Sequence, residues 1–216
     1  MENEEFSAPA PDAASTPDAP APTVRKRPKP GERRVQILQT LAAMLERPGA
    51  ERVTTAALAA QLDVSEAALY RHFASKAQMF EGLIDFIEQS VFTLVNQILE
   101  REGAGKEQAA RIVTMLMQFA EKNPGMTRVM VGDALVYENE RLQSRMNQFF
   151  DKIESTLRQA LRDAVIADGS DTPTVDAQVR AGALTAFVVG RLQRFARSGF
   201  RRLPSEHLEA TIALIV

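Results

Sequence analysis

Residues 54–76 read TTAALAAQLDVSEAALYRHFASK, two short helical patterns on either side of a tight turn. The first, 54–62, is rich in alanine and leucine behind a pair of threonines, Thr54 and Thr55, that can cap a helix start. Asp63-Val64 makes the turn. Ser65 supplies a second cap, with Glu66 where a carboxylate meets the positive end of the helix dipole, so a second helix is expected over 65–71. Leu58, Leu62, Val64, Leu69 and Phe73 are spaced to bury one edge of both helices against a third, and Ala59 is small enough to let the pair cross closely. The opposite face stays open, as in a helix-turn-helix that presents its second helix to the major groove of double-stranded DNA.

The residues at the start of that second helix reach base edges. Here they are Glu66, Ala67 and Ala68. Glutamate can accept from the amino group of cytosine, and alanine can touch the methyl of thymine. Tyr70, Arg71, His72 and Lys76 are suited to phosphate, which orients a protein without reading sequence. The capping residues Thr54, Thr55 and Ser65 complete the expected DNA-binding set. A plain helical hairpin, with small residues serving packing alone, would show the same spacing.

VSEAALYRHFASK resembles the recognition segment of TetR-type regulators, in which a Leu-Tyr-x-His-Phe run ends the recognition helix and a lysine opens the next. The likeness extends over about 32–200. RVTTAALAAQLDVSEAALYRHFASKAQMFEGLIDFIE, with ILQTLAAMLE before it and NPGMTRVMVGDAL and ERLQSRMNQFFDKIE after it, is similar to the nucleoid-occlusion branch of that family. One departure is Asp63, where the family usually carries glycine in a left-handed turn; aspartate tolerates that backbone at a small cost.

The chain has 216 residues, 45% of them apolar, enough to bury a core for a small head and a larger body. Its net charge of −2 is uneven: residues 1–24 carry −5, 25–76 carry +5 and the remainder −2. Only the head is basic, the footprint expected of a DNA-binding element. There is no cysteine, so disulfides and thiolate metal sites are excluded, and with two histidines no metal or other cofactor is expected. No secretory pattern opens the sequence, and no apolar run approaches the roughly 18 residues that span a bilayer. The expected compartment is the cytoplasm, without membrane association.

Seven of the eleven prolines fall in the first thirty residues, so 1–24 is read as a disordered acidic tail. RKRPKPGERR, from Arg25, is either a solubilising linker or an arm that meets phosphate. A first helix over 32–47 should bury Val35, Leu38, Leu41, Ala42 and Leu45 and stop at Pro48-Gly49. A long helix over 76–101 carries the stripe Phe80, Leu83, Ile84, Ile87, Val91, Leu94, Val95 and Ile98. Further helices are expected over 106–122, 126–131, 137–167, 175–200 and 205–216. No alternating strand pattern is present. The expected fold is all-α, with a DNA-binding head at 25–76 and a helical partner-binding and dimerisation body at 77–216. Gly182, Ala183, Ala186 and Gly190 form a small-residue face, open to internal packing or to a second copy. The resemblance implies the second, a homodimer, with one or more dimers on each DNA site.

No nucleophile with a base, metal cluster or phosphate loop is evident, so no catalytic residue is assigned and an enzyme is not expected. A ligand-responsive repressor would need an apolar cavity, which Met115, Met117, Phe119 and Met130 could line or equally fill. A regulator of division would need a protein-binding face. On the helix over 76–101, Phe86 lies on the order of 100° from the apolar stripe, and Met115, Gln118 and Lys122 form a separate face on the next helix. The resemblance implies that a groove between these helices takes the C-terminal tail of the division protein FtsZ, on DNA-bound protein at the nucleoid. Carried over by position, the groove is Phe86, Leu94, Met115, Gln118, Lys122 and Asn123. Phe86 and Asn123 match the family pattern. Lys122 and Leu94 stand where arginine is usual, and Gln118 stands where a small residue is usual.

Overall fold

The computed structural model describes residues 31–47, 52–103 and 105–216. The expected acidic tail, the basic segment up to Pro30 and the Pro48-Gly49 stop lie outside the described residues. In chain order the helices are α1 (Glu32–Leu45), α2 (Thr55–Gln61), α3 (Glu66–Tyr70), α4 (Lys76–Arg101), α5 (Lys106–Lys122), α6 (Pro124–Met130), a 3-10 turn (Asp133–Leu135), α7 (Glu140–Ala167), α8 (Pro173–Arg197) and α9 (Leu208–Ile215). No strand occurs among the described residues. The fold is all-α, as the periodicity predicts.

Three helices start on hydroxyl caps, two of which, Thr54 and Ser65, the sequence pattern predicts. Thr54, Ser65 and Ser75 accept from the backbone N–H of Ala57, Ala68 and Gln78 at 3.1, 3.3 and 3.2 Å. Each bond satisfies one of the donors that a helix start leaves unpaired. Asp63 takes the left-handed conformation, φ 55°, that the turn between α2 and α3 demands. Leu58, Ala59, Leu62, Leu69 and Phe73 are buried against α1 and α4, and Val64 packs at the edge of the same core.

Some boundaries differ from the periodicity. α7 starts at Glu140, three residues late, because the 3-10 turn takes up 133–135 and the Asn139 side chain caps Arg141 N–H at 3.1 Å. α8 begins earlier, on Pro173, whose fixed φ suits a first helical turn. It ends before Gly199 and Phe200, both at φ 64°. α9 starts at Leu208, because His207 sits in the left-handed region at φ 54°. Val35, expected in the core, is 53% exposed, and Ile37 takes the buried place.

Head and body share one continuous core, from Ile37 of α1 to Ile212 of α9. α6 packs on α1, and Gly125 of α6 lies directly against the Ala42 backbone. α4 runs from the head into the body and is tied to α7 by ion pairs. Arg141 meets Glu81 at 2.6 Å, and Arg145 meets Asp85 and Glu88 at 2.6 and 2.7 Å. α7 and α8 pack along most of their length.

At the far end Asp168, the C-cap of α7, joins α5 and α8 through Lys106 at 3.0 Å and Arg180 at 3.1 Å. Hydrogen bonds from Lys106 and then Arg180 hold its carboxyl below the usual range. A depressed carboxylate stabilises the fold above its unfolded pKa and loses that contribution as pH falls through the folded value. Asp168→Asn should therefore lower Tm slightly at neutral pH. In calorimetry the gap from the unaltered protein should close as pH is taken down through the carboxylate range.

Candidate nucleic-acid interface and partner-binding face

α2, α3 and their caps carry most of the expected DNA-binding residues. Thr54, Ser65, Glu66, Ala67, Tyr70, Arg71 and His72 are exposed, and Thr55 is half-buried. Ala68, placed with the base readers by its sequence position, is also half-buried, so the open start of α3 is Glu66 and Ala67. Glu66 is not a free carboxylate: Thr55 Oγ1 donates to its Oε2 at 2.6 Å. Tyr70 Oη lies 3.5 Å from the same Thr55 oxygen.

Lys76 departs from a free phosphate contact. Its ammonium pairs with Glu138, from the segment before α7, and Glu138 is almost covered. That lysine therefore also anchors the start of α4 to the body. Arg34 likewise folds onto the head, donating to the His72 carbonyl at 2.9 Å with its guanidinium 4.0 Å over the Phe73 ring. Neither Glu138 nor Arg34 was readable as part of the site. Their partners lie 62 and 38 positions away, and helical periodicity carries no signal over that distance.

A cavity of about 930 Å³ opens between α1 and the end of α2. It is lined mainly by polar side chains such as Gln36, Thr40, Arg47 and Gln61, and no residue of the expected partner face lines it.

The second candidate face lies on α4 and α5, which pack together. Phe86 is 49% exposed, as its offset from the stripe predicts. Leu94, also counted on the stripe, is instead 38% exposed; it lies about 80° around the helix from Phe86. On α5, Gln118 and Lys122 are exposed while Met115 is half-buried against the core. Asn123 caps the end of α5, its Nδ2 donating to the Phe119 carbonyl at 2.8 Å. The face thus offers two apolar side chains, one ammonium and amide groups.

A third surface lies on α8. Ala183 and Ala186 are exposed, Gly182 and Gly190 are partly so, and no atom lies within 4 Å of a Cβ built on Gly190. Val175 and Val179, 59% and 64% exposed, extend this apolar stripe. Internal packing does not cover it. Among the described residues no group of side chains could hold a metal ion, and no helix is long and apolar enough to cross a membrane.

A capped helix-turn-helix head joined by one long helix to a helical body is the arrangement of a TetR-type DNA-binding regulator. Residues 37–83 match the family described as bacterial regulatory proteins, tetR family. Residues 107–216 match the tetracyclin repressor-like C-terminal domain of the SlmA-like type. Nucleoid occlusion factor SlmA of Vibrio vulnificus strain YJ016 is 50% identical over 188 residues, 87% of this chain and 95% of the relative. SlmA of Vibrio cholerae is 50% identical over 184 residues, 85% and 93% of the two chains. The chain belongs to the TetR family, in its branch of SlmA nucleoid occlusion factors. Among solved structures, the regulator PfmR from Thermus thermophilus superposes with a TM-score of 0.68 at 23% identity, covering 83% of this chain and 96% of that one. FadR from Bacillus subtilis, in complex with stearoyl-CoA, gives 0.66 at 13% identity, covering 84% and 97%. These two likenesses concern the fold alone.

Proposed function

We propose that this chain is a nucleoid occlusion factor that, bound as a homodimer to chromosomal sites, binds FtsZ and blocks Z-ring assembly over the nucleoid. It works in the cytoplasm, on the DNA. Residues 25–76 are the DNA-binding head and 77–216 the body, with the uncovered stripe of α8 as the dimer contact. Val175, Val179, Ala183, Ala186 and Gly190 lie three and four apart, and small side chains let a second helix approach closely. The observation that carries the reading is the exposed Phe86 on α4, a helix that packs against α5, in a chain half identical to SlmA proteins over most of its length.

An exposed aromatic beside a basic side chain suits an acidic, apolar peptide. Leu94 in place of a usual arginine shifts this groove toward apolar contact, so Lys122 carries more of the attraction to acidic residues. The repressor alternative needs a cavity, whereas Met117, Phe119 and Met130 are buried within the continuous core.

Phe86→Ala and Lys122→Glu should each leave DNA affinity and dimerisation intact, because neither residue lies in the head or on α8. Each should weaken binding to a peptide copying the FtsZ tail by about 1 to 2 kcal/mol, the loss typical of an interface anchor. The charge reversal should be worse at low salt. Fluorescence anisotropy with labelled peptide, and separately with labelled DNA, checks this. Undiminished peptide binding by both variants would favour the repressor.

A further inference from the structure

A carboxylate on a DNA-facing surface is repelled by phosphate unless it has a specific donor to meet. Glu66, the first residue of α3, is exposed on that surface. It is held from the neighbouring helix. Thr55, the first residue of α2, gives its only hydroxyl proton to Glu66 Oε2 at 2.6 Å, a distance typical of a charge-assisted bond. Tyr70, one turn after Glu66, places its own hydroxyl 3.5 Å from Thr55 Oγ1, on the accepting side of that oxygen.

Two consequences follow from the count of donors. Thr55 has no proton left for a phosphate oxygen, so its hydroxyl acts within the protein. Glu66 keeps Oε1 as a pure acceptor, and the Thr55 bond restricts where that oxygen points. In the major groove the donors are the amino groups of cytosine and adenine. Adenine sets the N7 acceptor beside its amino group, which a carboxylate opposes; cytosine carries no acceptor of its own there, and a carboxylate suits it.

We infer that Thr55 is a positioning residue for base recognition: it aims Glu66 at the amino group of a cytosine, so the DNA site requires a C·G pair facing α3. The inference rests on the proposed DNA-binding reading. It assigns Thr55 a different role from a phosphate contact.

The test uses the full chain and duplexes enriched by it from a random-sequence pool, followed by competition with single-base variants. The enriched duplex should carry a cytosine in each half-site whose replacement weakens binding by about tenfold or more. Thr55→Val, which keeps shape and removes the hydroxyl, should largely erase that discrimination. Affinity for random duplex should fall far less than affinity for the enriched one. Thr55→Ser should restore the discrimination. Glu66→Gln should move the preference at the same position toward adenine, whose N6 and N7 an amide can pair together. Equal loss by Thr55→Val on specific and random duplex would overturn the inference in favour of a phosphate or purely structural role. So would an enriched site whose cytosines are indifferent to Glu66→Gln, a variant that also carries the test if Thr55→Val fails to fold. Failure of the unaltered chain to enrich any duplex would overturn the DNA-binding reading itself, and the inference with it.

Discussion

Ala67→Glu should reduce specific DNA binding to the level of random duplex while leaving the melting temperature unchanged or slightly raised. Ala67 is the second residue of α3 and is exposed beside Glu66. A glutamate there would set a second carboxylate against the base edges, with no hydroxyl to hold it and phosphates close by. The gap between specific and random DNA is typically a factor of about 10³ or more, so that is the expected loss. The fold should respond in the opposite sense. An added carboxylate in a first helical turn is stabilising by about 0.3 to 1 kcal/mol, because it meets the positive end of the helix dipole. Titration of labelled specific and random duplex, with calorimetry on the same samples, separates the two effects. Specific affinity kept within tenfold would mean that Ala67 does not face the groove.

Gly125→Ala should cost about 3 kcal/mol of stability, at the upper end for an overpacked core. A Cβ at Gly125 would lie 2.0 Å from the carbonyl oxygen of Ala42, 2.9 Å from its carbon and 3.2 Å from Glu46 Cγ. The obstacle is the backbone of α1, which cannot yield by changing a rotamer. α1 and α6 must separate, and with them the head and the body. For a protein of this size the expected fall in Tm is about 6 to 12 °C. DNA affinity should drop as well, because α1 supports α2 and α3. Gly82→Ala is the matched control. Its Cβ would meet only the side chains of Phe73 and Leu38, at 3.2 to 3.4 Å, and alanine gains about 1 kcal/mol over glycine inside a helix. A Tm for Gly125→Ala within 2 °C of the control would mean that the α1–α6 contact is slack.

Nearly every helix of the described residues was legible from local pattern, because a cap, a 3.6-residue stripe and a glycine or proline stop are written within a few positions of each other. α4 and α5 run from Lys76 to Arg101 and from Lys106 to Lys122, as expected. Asp63 adopts the left-handed turn that the family resemblance implied. The offset of Phe86 from its stripe was equally local, and so was its exposure. Boundaries failed where another local choice competed, as at Asn139, whose side chain restarted a helix after a 3-10 turn.

What tertiary structure alone decided is which partner each polar group meets. Lys76 read as a phosphate ligand, yet its ammonium is engaged by Glu138. Thr55 and Glu66 each read as a DNA contact, and only the crossing of α2 over α3 brings them to one hydrogen bond. The need for glycine at 125 has the same origin, since nothing in the neighbouring sequence shows the α1 backbone lying across it. Periodicity reports how a helix divides into apolar and polar faces, a property of successive residues. Which distant element then covers each face depends on how the helices cross, and only the folded chain fixes that.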